Sequence, residues 1–288
     1  MTLNSLYMSI LQGAFDDDDP EDDRKVRSVL GAVTLVVNPL SPSTIATILG
    51  LDTEDTFLRL SSVHSLLFLR GVDHSVRPSH KSFPDFIVDP ARCTDNRFRV
   101  FPPIHHSELL IGCLELLNRK LEKNMCKLPD AVTNDEVGDL RKRVEQHIDH
   151  GLRHACRSWH KHFVDAHTAP DHKAKIISVL HRFLQDKFSF WLEVLSVLGV
   201  ISDAVDALEA AAKWLEVGRI YTLDVSPKFT YTGSRRHRLL ILSMTVSDLS
   251  LDSSRSSASL LRISIIRPSS CPQKHRLYEG YTNNTFTP

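Results

Sequence analysis

Three histidines are spaced so that a single helix could bring their side chains together. His147, His150 and His154 are separated by three and four residues, which puts them on one face of a continuous helix. Zinc takes three or four nitrogen or sulfur ligands, so this face is the best metal candidate in the sequence. The surrounding face is basic and carries Arg143, Arg153, Arg157 and Lys161. Because these charges oppose a divalent cation, we predict no metal and interpret the face as a solvated helical surface.

The sequence contains no motif that cradles a phosphate or that pairs a nucleophile with a base. Its 11 glycines are isolated, so none of them builds the G-x-x-x-x-G-K-[ST] loop that wraps phosphates in P-loop proteins. The motifs G-x-S-x-G and H-E-x-x-H are absent as well. We therefore predict no catalytic residues, no cofactor and no enzymatic activity for this chain.

Helical elements make up most of the scaffold that must position these side chains. Apolar residues recur at helical spacing over residues 3–11, ahead of an acidic run at Asp16–Asp23. That run lacks the central glycine and the terminal glutamate of a calcium loop, so it is interpreted as a linker whose last acids begin the next helix. Three helices are then predicted. They cover about Asp23–Val37, Ser41–Ile48 and a segment that starts at Asp52 or Thr53.

A β-hairpin is predicted after the third helix. Two β-like runs, Ser65–Arg70 and Val76–Val88, are joined by residues 71–74, which read as a turn. Three short helices followed by a hairpin is the order of a winged-helix domain. From about Ile104 to Trp214 the pattern is helical nearly throughout. The predicted fold is therefore mainly α: a winged-helix domain with a short β-hairpin, an α-helical bundle and an irregular basic tail.

Charge is unevenly distributed along a chain whose formal net charge is zero. Residues 218–288 carry 10 Lys/Arg against 4 Asp/Glu, include 13 serines, and show no helical period. The predicted divisions are an N-terminal helix and acidic linker at 1–19, a winged helix at 20–92, a bundle at 97–216 and a disordered or aberrant tail at 217–288. We interpret the tail as the product of a shifted reading frame or a retained intron.

Cysteine usage and the absence of a signal or membrane segment indicate a soluble, cytoplasmic protein. The five cysteines are odd in number and form no C-x-x-C pair, which is typical of a reducing compartment. No basic and apolar leader precedes the first helix, and no apolar run is long enough to span a bilayer. The third helix begins Asp52-Thr53-Glu54-Asp55 and would repel phosphates, so no nucleic acid is expected.

Recognisable sequence blocks are distributed over residues 3–216. They are Asn38–Ser41, Leu60–Leu67, His80–Ile87, Arg97–Val100, Cys113–Leu117, Asn124–Pro129, Ala155–His160 and Phe190–Ser196. Together they resemble the region downstream of the NACHT NTPase domain in fungal NOD-like, STAND-class proteins. The resemblance implies a winged helix that folds back on an ATP- or ADP-binding core and holds the ADP state closed.

The resemblance also assigns a place to His80. It falls where an MHD-like motif has the histidine that contacts a nucleotide phosphate, with Ser79 and Lys81 where Met and Asp commonly flank it. An imidazole N–H can donate to a phosphate oxygen and lose that partner when the domain swings away. Because the P-loop half is expected before residue 1, His80 is a nucleotide contact only when a NACHT core is present.

The expected function is that of a non-catalytic regulatory and interaction module for signal transduction of the innate-immunity or self/non-self type. Its expected partner is a protein, namely a NACHT core or another STAND protein, and no membrane is expected. The same features also fit a truncated gene product. Two alternatives stay open: a nucleic-acid-binding winged-helix protein, and a metal-binding helical protein that uses His147, His150 and His154.

Overall fold

The computed structural model describes residues 2–15, 19–70, 75–129, 134–166 and 170–217, and the backbone of residues 221–231, 237–248 and 259–268. This part of the chain is mainly helical and includes a two-stranded antiparallel hairpin. It divides into two compact units. The first unit comprises Met1–Leu121 and Asp149–Phe188, and the second comprises Glu122–Ile148 and Ser189–Pro288. These units cut across the division predicted between residues 92 and 97.

In chain order the elements are α1 (Leu3–Ala14), α2 (Pro20–Leu35), α3 (Pro42–Leu49), α4 (Thr53–Ser62), β1 (Leu67–Arg70), β2 (Ser75–Pro78), α5 (Ser82–Val88), α6 (Pro102–Lys120), α7 (Leu140–His147), α8 (His150–Ser158), α9 (Pro170–Arg182), α10 (Phe188–Val197), α11 (Asp203–Val217), β3 (Tyr221–Tyr231), β4 (His237–Asp248) and β5 (Ser259–Pro268). Short 3-10 turns cover Asn134–Glu136 and Trp159–Phe163, and a π-helical turn covers Phe183–Lys187.

Side-chain caps fix where the helices of the first unit begin. Asp19 accepts from the backbone N–H of Glu21, with Pro20 as the first helical residue, so α2 begins three residues earlier than predicted. Ser41 accepts from the N–H of Thr44 at the start of α3, and α3 ends at Gly50 with a φ of 66°. Helix α4 is capped by Asp52. The three predicted helices are confirmed, and the signals that place them are local.

The hairpin is shorter than predicted, and a helix follows it. Strand β1 pairs antiparallel with β2 from Leu67 opposite Pro78 to Arg70 opposite Ser75. The predicted second β-run extended to Val88 and is wrong beyond Pro78, because Ser82–Val88 is α5. Three apolar side chains of this segment follow a helical spacing and are buried: Phe83, Phe86 and Ile87. The predicted turn at residues 71–74 lies outside the described residues.

Helix α6 is the centre of the first unit. Eleven of its residues are buried, and it packs against α2, α3, α8 and α9. Gly112 allows its close approach to α3, because a Cβ at this position would overlap the main-chain carbonyl of Ile48. Helix α6 belongs to the predicted bundle, whereas α2 and α3 belong to the predicted winged helix. Their shared core is the reason that the compact unit crosses the predicted boundary.

Helices α7 and α8 lie within the stretch from residue 104 to residue 214 that is predicted to be helical nearly throughout. Helix α7 ends at His147, and Ile148 has extended backbone at φ −119° and ψ 102°. Asp149 then caps α8 by accepting from the N–H of Leu152. Two helices therefore form here, and the break between them falls inside the histidine face described from the sequence.

The tail contains strands where an irregular segment was predicted. In the second unit, β3 pairs antiparallel with β4, and β4 pairs antiparallel with β5. The prediction of an irregular tail is thus wrong for the backbone of these strands. Runs rich in Leu and Ile without a helical period, such as 239–242 and 263–266, favour strands.

No helix among the described residues combines the length and the apolar character that crossing a bilayer requires.

Candidate functional site

His80 is exposed and lies between the end of β2 and the start of α5. The backbone N–H of Ser82 donates to its Nδ1 at 3.2 Å, and Ser82 Oγ lies 2.7 Å from the same nitrogen. A backbone N–H can only donate, so Nδ1 is an acceptor and the proton of the neutral ring is on Nε2. The ring thus presents an N–H donor at the protein surface, and no described residue accepts from it.

Tyr7 extends this arrangement into the core. Its hydroxyl lies 2.9 Å from Ser82 Oγ, and its ring is buried against Phe83 and Phe86, with centroids 5.4 and 5.2 Å away. Because Nδ1 of His80 is an acceptor, the Ser82 hydroxyl donates to it, and the Tyr7 hydroxyl in turn donates to Ser82. Helix α1 therefore fixes the orientation of a side chain that follows the hairpin.

The candidate metal-binding face of His147, His150 and His154 is not formed as one helix face. His147 is the last residue of α7 and His150 is the first of α8, so the continuous helix that would align them with His154 is interrupted. Among the described residues, no three His, Cys, Asp or Glu side chains are grouped to hold a metal ion. The side chains of His150 and His154 line a cleft instead.

A buried pair of histidines was not singled out from the sequence. His106 on α6 and His162 in the Trp159–Phe163 turn face each other, with 3.0 Å between their Nδ1 atoms. Burial lowers the pKa of both rings, that of His162 to about 3. The Asp165 carboxylate lies 3.7 Å from Nε2 of His106 and favours a proton there, so His162 Nδ1–H donates to His106 Nδ1.

The spacing of the apolar residues indicates that both histidines of this pair are buried. His106 precedes Leu109 and Leu110 by three and four residues on the buried side of α6, and His162 stands beside the buried Trp159 and Phe163. A histidine within an apolar stripe is typical of a satisfied core residue. Their pairing joins positions 56 residues apart, and the local pattern does not encode it.

A large cleft opens in the first unit where α3 and α4 begin and α8 runs alongside. Its volume is about 1190 Å³. One part of its lining is residues 38–44, another is the first turn of α4 with Phe57, and the third is α8 with the turn after it. The third part is basic and carries His150, Arg153, His154, Arg157 and Lys161. Three of the four basic residues that oppose a metal ion in the sequence, Arg153, Arg157 and Lys161, therefore line one cavity.

The four described cysteines are buried. They are Cys93, Cys113, Cys126 and Cys156. Burial raises the pKa of Cys113 to about 12 and that of Cys93 to about 11. Since the thiolate is the nucleophilic form, these residues are packed as apolar core and not prepared for covalent chemistry.

Comparison with known proteins gives no relative: no protein-family model, curated protein or solved structure matches the chain.

Proposed function

We propose that this chain is a non-catalytic regulatory module that docks, through the surface around His80, onto a nucleotide-binding partner of the NACHT type. The observation that carries the proposal is the orientation of His80. Its Nδ1 is occupied by Ser82, so its Nε2–H is a surface donor of the kind that can bind a phosphate oxygen held by another domain.

The order of the elements supports the same proposal. Helices α2, α3 and α4 precede the β1–β2 hairpin, which is the order of a winged-helix domain, and His80 follows the hairpin directly. The resemblance of residues 3–216 to the region downstream of a NACHT core places a phosphate-contacting histidine at this position. A regulatory role through a partner is also consistent with the buried, high-pKa cysteines and with the absence of a P-loop from the sequence.

A DNA-reading role is disfavoured by the third helix. Helix α4 has Glu54 and Asp55 in its first turn. Its basic side chain, Arg59, is engaged by Asp22 and Asp55, with 3.0 Å between its Nε and Asp55 Oδ2. A helix of this charge repels the phosphates that a major-groove helix must approach.

The test is association of the purified chain with a P-loop-containing NACHT core from a fungal NOD-like protein, in the ADP-bound and nucleotide-free states. We expect tighter association with the ADP-bound core and a loss of about tenfold for His80→Ala, as for one charge-assisted hydrogen bond. His64→Ala is the matched control, because His64 is also exposed and its ring contacts the nearby Ser61 carbonyl. Equal affinity of the two variants would overturn the proposal, and so would selective, salt-dependent binding of duplex DNA by the chain.

A further inference from the structure

The cleft beside α8 collects positive charge along one wall. Arg153 and Arg157 are one step of four residues apart on α8, and Lys161 follows by another four in the 3-10 turn. A rise of about 1.5 Å per residue puts the first two about 6 Å apart along α8, and Lys161 lies in the 3-10 turn that follows. All three line the cavity, so the wall is a row of cations and not one point charge.

Two nitrogen atoms in this wall are buried without a hydrogen-bond partner. They are Nε of Arg153 and Nε2 of His154. Buried polar atoms in proteins almost always have a partner, and a guanidinium nitrogen can only donate. An anionic ligand in the cleft would supply the acceptor that Arg153 lacks among the described residues.

The charges around His154 are also positive. Burial, and then the charges of Lys161 and Arg157, lower the pKa of this residue to about 4. The ring is therefore neutral near pH 7, and the positive field of its neighbours is felt inside the cleft. Asp52 and Glu54 at the start of α4 also line the cavity and offset part of this field. The side chain of Asp52 is used as the cap of α4.

We propose that this cleft binds a small polyanion that carries two or more phosphate groups. The length of the cationic row fits several anionic groups better than one. The volume of about 1190 Å³ is at the upper end of small-molecule sites and far exceeds the need of a single phosphate. Pro39, Leu40 and Phe57 add apolar lining that can hold the body of such a ligand.

This site is separate from the proposed contact at His80, which does not line the cleft. The two proposals are therefore tested by different variants, and either can fail without the other. A ligand in this cleft would contact α3, α4 and α8 together and would stabilise their arrangement in the first unit.

The experiment is calorimetric titration of the full chain with inorganic tripolyphosphate, compared with orthophosphate and with sodium chloride at equal ionic strength. The variant is Arg157→Gln with Lys161→Gln, since both side chains are exposed. The matched control is Arg141→Gln with Lys142→Gln, which removes the same charge from exposed positions on α7. We expect saturable binding of tripolyphosphate, at least about tenfold weaker binding of orthophosphate, and about tenfold weakening in the cleft variant alone.

Two further measurements bear on the site itself. Glu54→Gln removes a carboxylate from the lining, so we expect tripolyphosphate to bind a few-fold, about 2–5 times, more tightly. Bound polyanion would also raise the pKa of His154 from about 4, as read from its ring resonances in NMR. No saturable binding, equal weakening in the control, or tighter binding of duplex DNA through the same side chains would overturn the proposal.

Discussion

The hydroxyl of Tyr7 lies 2.9 Å from Oγ of Ser82, a residue 75 positions further along the chain. Ser82 bonds to Nδ1 of His80 through its backbone N–H and through its hydroxyl, so a buried side chain of the first helix orients a hydroxyl that donates to an exposed histidine. The backbone N–H of Ser82 already favours the proton on Nε2, and the contact with Tyr7 reinforces that tautomer. This relationship can be tested without any partner.

Tyr7→Phe removes the hydroxyl and keeps the ring that packs on Phe83 and Phe86. We expect a loss of about 1 kcal/mol in the free energy of unfolding, as for one part-buried hydrogen bond, and a weaker preference for the Nε2-protonated tautomer of His80, because the Ser82 hydroxyl is no longer oriented while its backbone N–H still donates. Urea unfolding gives the first quantity and the ring ¹⁵N shifts of His80 give the second. Unchanged shifts would contradict the proposed chain of hydrogen bonds. Ser82→Ala is the companion variant, because it keeps the backbone donor but removes the hydroxyl.

Acidification should destabilise the first unit through His162. Burial lowers the pKa of this ring to about 3, so the folded protein binds fewer protons than the unfolded chain below the ordinary value of 6.5. The contribution is fully present above pH 6.5 and is lost as the pH falls towards the folded value. Between pH 7 and pH 5 we expect a decrease of about 2 kcal/mol from this one residue.

The pH dependence is measured by unfolding the chain at both values, with His162→Gln as the variant. We expect the variant to be less stable at pH 7 and to lose stability less steeply between pH 7 and pH 5. His64→Gln is the control, since it makes the same substitution at an exposed histidine. If the unfolding free energy of His162→Gln and of the wild-type chain fell equally steeply with pH, the ring of His162 would be protonated in the folded protein over the same pH range as in the unfolded chain.

Gly112→Ala should separate α6 from α3. The added methyl would overlap the backbone carbonyl of Ile48, which cannot move as the end of a flexible side chain would. We expect a loss of about 2–3 kcal/mol in unfolding free energy. Gly13→Ala is the control within a helix: a Cβ there meets no atom within 4 Å, and alanine should be neutral or stabilising by about 0.5–1 kcal/mol. Equal stabilities of the two variants would contradict the close approach.

The ion pairs of Arg59 should contribute more to stability than an exposed pair of the same spacing. Arg59 is hydrogen-bonded to Asp22 of α2 and to Asp55 of α4, and these carboxylates raise the pKa of its guanidinium. We expect about 1–3 kcal/mol to be lost in Arg59→Gln. Arg141→Gln breaks an exposed pair with Glu145, also four residues apart, and should change stability by less than about 0.5 kcal/mol. A similar loss in both variants would be evidence against a special role for Arg59.

Local chemistry made the helix starts of the first unit predictable. Ser41 and Pro42 begin α3, Gly50 ends it, and Asp52 begins α4, because each cap needs only residues within one turn. The prediction of a strand where α5 forms is wrong for a related reason. Phe83, Phe86 and Ile87 suit a buried strand run as well as a short helix, and only their spacing of three and four separates the two.

The sites could be predicted only in part. His80 follows from a resemblance, but the hydrogen bonds that orient its ring extend to Tyr7, which lies on another element. The cleft joins residues 38–57 to residues 150–161, and no pattern within either segment encodes that meeting. The three histidines do not share one helix face, because the helix does not continue through Asp149, which caps a new helix instead. Local periodicity does not show which distant segments of the chain pack together.

The discontinuity of the first unit has a consequence for how the protein is made. Residues 149–188 return to a core that residues 1–121 began, after the segment 122–148 has joined the other unit. On a ribosome that adds about 5–20 residues each second, the apolar surface of α6 waits roughly 3–13 s for α8 and α9 to be synthesised. During that interval the apolar face of α6 is exposed on the nascent chain. It is the stage of biogenesis at which a chaperone would be needed and at which misassembly between neighbouring nascent chains would start.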